Sequence, residues 1–544
     1  MSRLALQALG AAAEAVDRHV PALVEEQFAS RLLARDATLW GPAAEAEASR
    51  RLAWVDLYRT SRPLVGEVEA LADQVRGRGL DRVVLCGMGG SSLAPEVICA
   101  TAGVPLVVLD SSHPDMVRSC LEQDLDRTVV VVSSKSGSTV ETDSQRRAFE
   151  AAFREAGIDP AERIVVVTDP GSPLDQASRE AGYRVVNADP HVGGRYSALT
   201  AFGLVPAGLA GVDVAELLYE AESVADLLFE DDRGNPGLTL GAALAGTQPL
   251  RDKLVFTDDG SGIPGFADWA EQLIAESTGK DGTGLLPVIA SPASAGRLQD
   301  AADVTRISLV GESEDDGEAP ASGAAPSSLV TVGGSLGAQL LLWEVATAVA
   351  GRILGINPFD QPDVESAKEA ARRQMASGPG AASTEGVRDG AVVIRGATGA
   401  RDLPGAVADL LGRVDPETGY LAVMVYLDRL AHAGLEEVAD ALTVRTGRPV
   451  TFGWGPRFLH STGQLHKGGP PTGVYLQVTG EPRRDLPVPG RDYTFGRLIA
   501  AQAAGDADVL QELGRPVLRL HLTDVEAGLA QLRAALGPDA GGRA

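Results

Sequence analysis

The chain has 544 residues, enough for two or three packed domains and too many for one ordinary core. Its 48 basic and 74 acidic side chains leave a net charge of −26, which repels phosphodiester backbones and anionic lipid and so argues against nucleic-acid or membrane-surface binding. A small anionic ligand is not excluded, because backbone N–H groups, hydroxyls and one or two local cations hold it whatever the global charge.

The first 75 residues alternate apolar and charged positions at helical spacing, with Pro21, Pro42 and Pro63 as expected breaks, and predict a helical segment whose start is a surface helix without a signal peptide. The texture then changes. β-Branched runs at 82–87, 105–110, 128–134, 163–169 and 184–187 alternate with helix-length segments, the pattern of a parallel sheet over 76–235. Cys86, Cys99 and Cys120 fall in this stretch, an odd, sparse set that is no disulfide framework and fits a reducing cytoplasm. Further runs at 253–259, 285–291, 305–311 and 328–332 predict a second α/β domain over 236–375, interrupted by an acidic, Gly- and Pro-rich excursion at 312–328. The most apolar window, 338–356, contains Glu344 and Arg352 and fails as a membrane span. Linker composition at 376–390 precedes a smaller α/β domain over 390–544, with strand-like runs at 391–396, 420–428, 449–455, 473–480 and 517–524.

Two loops carry the chemistry. GMGGSS (87–92) follows the first strand of the parallel series, and its small residues let backbone N–H groups approach a phosphate. A dinucleotide fingerprint would place glycine where Ser92 stands, so NAD binding is the poorer reading and a plain tight turn remains open. SSKSGSTVET (133–142) follows the third strand and gathers hydroxyls, backbone donors and one ammonium in a turn that opens a helix, a set suited to a phosphate monoester. An ordinary Ser/Thr-rich helix cap is the alternative.

The paired loops resemble the sugar-isomerase (SIS) domain, and the S-K-x-x-x-T-x-E-T pattern is similar to glucose-6-phosphate isomerases. GGRYSALTAFGL (193–204), ESTGK (276–280) and GINPFDQPDVESAK (355–368) meet that family's motifs in order. ATLWGP, RLAWVDL and RFLHSTGQLHKGGP resemble the isomerase half of bacterial transaldolase/phosphoglucose isomerase fusion proteins; fewer than a hundred residues precede the first sugar-isomerase strand, too few for an aldolase-type barrel. The resemblance implies an α/β fold with two doubly wound SIS domains plus the C-terminal α/β domain. It also implies aldose–ketose isomerisation of a small-molecule sugar phosphate, without cofactor or metal. It assigns Glu276 as the base that moves a proton between C2 and C1, a task suited to a carboxylate. Arg195 would stabilise the enediolate. Phosphate and substrate would be held by Gly89, Gly90, Ser91, Ser134, Lys135, Ser136 and Thr139, with Glu141, Gln272 and Gln361 in support. Lys368 matches the ring-opening lysine. The family's histidine lies between the E-S-x-G-K and N-P-F-D-Q blocks and comes from a second subunit, which implies a homodimer; here residues 277–356 contain no histidine. His460 and His466, in a polar Gly-rich loop, are the candidates, and LHKGG favours His466. A phosphoglucose/phosphomannose isomerase and a non-catalytic sugar-phosphate sensor remain alternatives.

Overall fold

Sixteen strands form three sheets in the computed structural model, which describes residues 4–312, 326–376, 386–396 and 398–537. In chain order they are β1 (Ala5–Gly10), β2 (Arg82–Gly87), β3 (Val107–Leu109), β4 (Thr128–Ser133), β5 (Ile164–Thr168), β6 (Arg184–Asn187), β7 (Lys253–Asp258) and β8 (Leu286–Ile289). They continue with β9 (Val304–Val310), β10 (Ser328–Gly333), β11 (Val387–Asp389), β12 (Val392–Gly396), β13 (Tyr420–Tyr426), β14 (Val450–Trp454), β15 (Gly473–Gly480) and β16 (Val517–Leu522). Most of the acidic excursion and of the 376–390 linker lies outside the described residues.

The first sheet, in the order β3-β2-β4-β5-β6, is wholly parallel. Helices cover both faces, which is why β4 reads as an unbroken apolar run: Val129, Val130, Val131 and Val132 are all buried, each contributing about 1.5–3 kcal/mol. The chain passes from β2 to β3 on one side and then crosses back to β4 on the other side of β2, so the loops after β2 and β4 flank the topological switch point, where sheets of this kind bind ligands.

The second sheet runs β1-β10-β9-β7-β8, parallel except at one edge. That edge corrects the expected N-terminal helix. Residues 5–10 pair antiparallel with β10, and the helix begins only at Ala11. Leu4, Leu6 and Ala8 pack against the core at a two-residue period that their helix-favouring side chains disguise. Helices do fill most of 11–77, but Pro21 lies inside the helix Ala11–Glu25, while Pro42 and Pro63 sit in first turns.

The third sheet, β11-β12-β16-β15-β13-β14, is parallel through β13–β16 and antiparallel at the β11/β12 edge. Polar bonds lock it to the other two. Arg448 forks onto Asp303 at 3.1 and 2.5 Å, Gln464 Nε2 donates to Gly279 O at 2.9 Å, and Arg429 and Arg457 converge on Glu96 and Asp110. No helix among the described residues is long and apolar enough to cross a membrane.

Candidate active site

β2 delivers the chain into a 3-10 turn, Gly89–Ser91, and then the helix Leu93–Thr101. The glycines are spatial requirements. Gly89 has φ +56°, and a Cβ there would meet Gln272 Nε2 at 2.8 Å and His460 Cβ at 3.0 Å; a Cβ on Gly90 would stand 2.0 Å from Gly194 O. β4 ends beside β2, and the chain reaches the helix Val140–Glu155 through Ser134–Thr139. Ser134 Oγ donates to Thr139 Oγ1 at 3.1 Å, and the exposed Ser136 and Ser138 hydroxyls lie 2.9 Å apart. Thr139 occupies the helix N-cap without a side-chain cap bond, so the helix's first N–H groups join these hydroxyls as donors. Lys135 keeps one of its three N–H groups for a phosphate. Its Nζ is engaged by Asp169 Oδ2 at 2.7 Å and Pro190 O at 3.1 Å.

Glu276 lies on the helix Phe266–Thr278, one turn after Gln272, so both face the same way. The carboxylate is 8% exposed; Gln272 Nε2 donates to its Oε2 at 3.2 Å, and Arg195 Nη1 stands 3.5 Å from its Oε1. Arg195 is 3% exposed and held almost completely. Its Nε donates to Ser277 Oγ at 2.7 Å, Nη1 to Gln361 Oε1 at 2.6 Å, and Nη2 to the carbonyls of Pro358 and Asp360 at 2.7 and 3.1 Å. Of the guanidinium's five N–H groups, only one on Nη1 is left to face Glu276. Lys280, a residue of the ESTGK block given no separate role from sequence, pins the same turn. Its Nζ donates to Asn357 O at 2.7 Å, Asp360 O at 2.6 Å and Asp360 Oδ1 at 2.7 Å. Burial, aided by the Arg195 charge, pulls its ammonium down to about 8. Lys368 falls in the helix Pro362–Ala376, but its side chain lies outside the described residues.

The two histidine candidates separate cleanly, and the preference for His466 is corrected. His466 is 2% exposed, its ring centred 5.3 Å from Tyr475, 6.1 Å from Tyr420 and 6.2 Å from Phe458, and neither ring nitrogen has a partner. Burial pulls it down to about 3, so it is a neutral core residue. His460 instead ends a 3-10 turn, Arg457–His460, that enters the site. Its Nε2 lies 3.2 Å from Glu141 Oε1, its carbonyl accepts from Gln272 Nε2 at 2.7 Å, and its Cβ lies against Gly89. Glu141 is 4% exposed and also accepts from Gln502 Nε2 at 2.6 Å. Burial acts to push this carboxyl up, but the hydrogen bond and charge of His460, with the Gln502 amide, leave it below its ordinary value. Gln502 has no sequence signal: it is one polar residue inside the helix Phe495–Glu512.

One constellation therefore joins Glu276, Arg195, Gln272, Gln361, Glu141 and His460 beside the hydroxyl-rich loop. Parallel sheets with a phosphate-type cradle at the switch point and a buried base beside a fixed guanidinium define a sugar-isomerase-domain protein. Comparison with known proteins agrees. No protein-family model matches the chain. It is 31% identical over 363 residues to a probable glucose-6-phosphate isomerase of Natronomonas pharaonis, across 58% of this chain and 84% of the relative. It is 30% identical over 384 residues to a glucose-6-phosphate isomerase of Rubrobacter xylanophilus, across 59% of this chain and 88% of the relative. A crystal structure of a hypothetical protein from Thermus thermophilus matches with a TM-score of 0.58 at 25% identity, covering 69% of this chain and 100% of that one. The chain belongs to the glucose-6-phosphate isomerase family.

Proposed function

We propose that the chain interconverts glucose 6-phosphate and fructose 6-phosphate, with Glu276 carrying the proton between C2 and C1. The observation that carries this reading is the pairing of a nearly buried carboxylate with a guanidinium whose other donors are already engaged. A carboxylate abstracts from one carbon and returns the proton to the next without leaving the site. Arg195 is held in advance of the reaction, so the negative charge that grows on the C1 and C2 oxygens meets a fixed cation. The loop from Ser134 to Thr139 takes the phosphate and orients the sugar. His460, polarised by Glu141, exchanges the ring-opening proton; Lys368 is assigned the complementary part by resemblance alone. The shuttle needs no redox cofactor.

Glu276, Arg195, Gln272, Gln361, Glu141 and His460 come from one chain, and the family resemblance supports association of two such chains. Cys86, Cys99 and Cys120 are free and buried, which supports a reducing, cytoplasmic setting. The motifs ATLWGP, RLAWVDL and RFLHSTGQLHKGGP support kinship with the isomerase half of the transaldolase fusions. The test is a coupled assay for glucose 6-phosphate formed from fructose 6-phosphate, repeated with mannose 6-phosphate. Glu276→Gln is expected to keep KM and lower kcat by about 10²–10⁴-fold, with C2 proton exchange lost as well. Tight binding without turnover by the unaltered protein would sink the proposal.

A further inference from the structure

The family motifs account for Glu141 and the turn geometry for His460, but neither explains why a buried carboxylate is approached by a glutamine from the C-terminal part of the chain. Four segments far apart in sequence meet there. Ser112 follows β3, Glu141 opens the helix Val140–Glu155, His460 ends its 3-10 turn, and Gln502 projects from the helix Phe495–Glu512. Ser112 Oγ donates to Gln502 Oε1 at 2.6 Å, Gln502 Nε2 donates to Glu141 Oε1 at 2.6 Å, and His460 Nε2 lies 3.2 Å from that same oxygen. Ser112, Glu141 and Gln502 are 0, 4 and 5% exposed, so water does not substitute for any of these bonds.

The string has a direction. An ionised carboxylate only accepts, so the Gln502 amide must turn its nitrogen toward Glu141 and its oxygen toward Ser112, whose hydroxyl proton completes the set. The same carboxylate keeps a His460 proton on Nε2, so that Nδ1 is the nitrogen that exchanges the ring-opening proton. We propose that Gln502, oriented by Ser112, is a positioning residue for sugar-ring opening: it keeps Glu141 ionised and aimed, and thereby fixes the working tautomer of His460. This rests on the isomerase reading above and deepens it, since it assigns the C-terminal domain a part in the ring-opening step.

Without the Gln502 donor, Glu141 keeps only His460 as a side-chain partner. A buried carboxylate that loses a hydrogen bond to its charged form takes up a proton at higher pH. Once protonated, it donates to Nε2, and the His460 proton moves to Nδ1, reversing donor and acceptor. His460 is the one titratable side chain bonded to this carboxylate among the described residues, and Gln502 is neutral, so the pH response argued here is that of Glu141. The sign follows: losing Gln502 moves the acid limb of kcat to higher pH.

The experiment measures kcat and KM for fructose 6-phosphate across pH on the full chain, comparing Gln502→Leu, Ser112→Ala, Ser112→Thr and the double variant Ser112→Ala/Gln502→Leu. Gln502→Leu removes both polar atoms, leaves a branched apolar side chain one atom shorter, and is expected to lower kcat at neutral pH by about 10–10²-fold, with KM changed less than about threefold, and to raise the acid limb. Ser112→Ala moves both quantities the same way by less, Ser112→Thr restores them, and the double variant is no worse than Gln502→Leu. A drop in kcat that is uniform across pH, or additive losses in the double variant, would overturn the proposal by making Gln502 a packing residue. Ser112→Ala removes a single hydroxyl and decides the matter alone if Gln502→Leu does not fold. An inactive unaltered protein would instead count against the isomerase reading, whereas an active one whose variants keep its pH profile counts against this string only.

Discussion

Arg457 and His460 share one 3-10 turn, so breaking the anchor at one end should release the histidine at the other. Arg457 Nη1 donates to Glu96 Oε2 at 2.6 Å and to Asp110 Oδ2 at 2.5 Å. Asp110 is fully buried, and Arg429 Nε holds its other oxygen at 2.9 Å. Removing one partner of a buried ion pair costs about 3–5 kcal/mol. The lower end applies here, because Arg429 still neutralises Asp110 and Glu96, at 30% side-chain exposure, recovers some hydration. Arg457→Met keeps the apolar stem and removes the charge. A loss of about 3 kcal/mol shifts docking of the turn by a factor of roughly 100. We expect kcat to fall toward that of His460→Gln and no further, with faster proteolysis near residues 455–470. The decisive assay is the double variant. Arg457→Met added to His460→Gln should leave kcat unchanged, since the histidine it positions is already gone. A second multiplicative loss, or a destabilised Arg457→Met with normal kcat, would refute the coupling of anchor to histidine.

His466→Phe should retain kcat within about twofold, because the ring is enclosed by aromatic side chains and makes no polar contact. It should also remove an acid liability. With the folded-state pKa pulled down to about 3 from 6.5, the unfolded chain binds the extra proton between those values, and stability falls as pH drops through 6.5. Denaturant melts at pH 5 should therefore favour the variant by about 2 kcal/mol, with little difference at pH 8. Lys280 predicts the alkaline side of the activity profile. Below about 8 its three N–H groups satisfy Asn357 O, Asp360 O and Asp360 Oδ1; above it one donor is lost and the turn that carries Gln361 to Arg195 loosens. An alkaline limb near pH 8 that disappears together with most activity in Lys280→Met is the expected profile. Gly90→Ala would force a methyl group to within 2.0 Å of Gly194 O, displacing Arg195 next to it. Thermal melting should show a loss of about 1–3 kcal/mol, and steady-state kinetics a fall in kcat of about 10²-fold.

The strands that build the site were legible because buried parallel strands must be apolar on both faces, and the loops because ligand groups cluster where such strands end. β4 and the Ser134–Thr139 turn are the clearest case: an unbroken valine run followed at once by hydroxyls. Other features turned on what only three dimensions supply. Residues 5–10 form a strand because β10 offers an open edge, a partner more than three hundred residues away that no local pattern announces. Lys135 reads as the ammonium of the phosphate loop, and its ion pair with Asp169, at the end of a different strand, is visible only in three dimensions. The histidines differ for a reason of the same kind. His460 and His466 share one polar-looking loop, and the LHKGG motif drew attention to the second. Yet the short helix Gly463–Gly468 buries Leu465, His466 and Lys467 together, Lys467 being neutralised by Asp506 at 2.6 Å. Arg457 turns the preceding residues toward the first sheet. The group that reaches the substrate site was thus chosen by where the loop's charges found partners: the cation paired with Asp506 draws its neighbour inward, while the one paired with Glu96 and Asp110 holds His460 against Glu141.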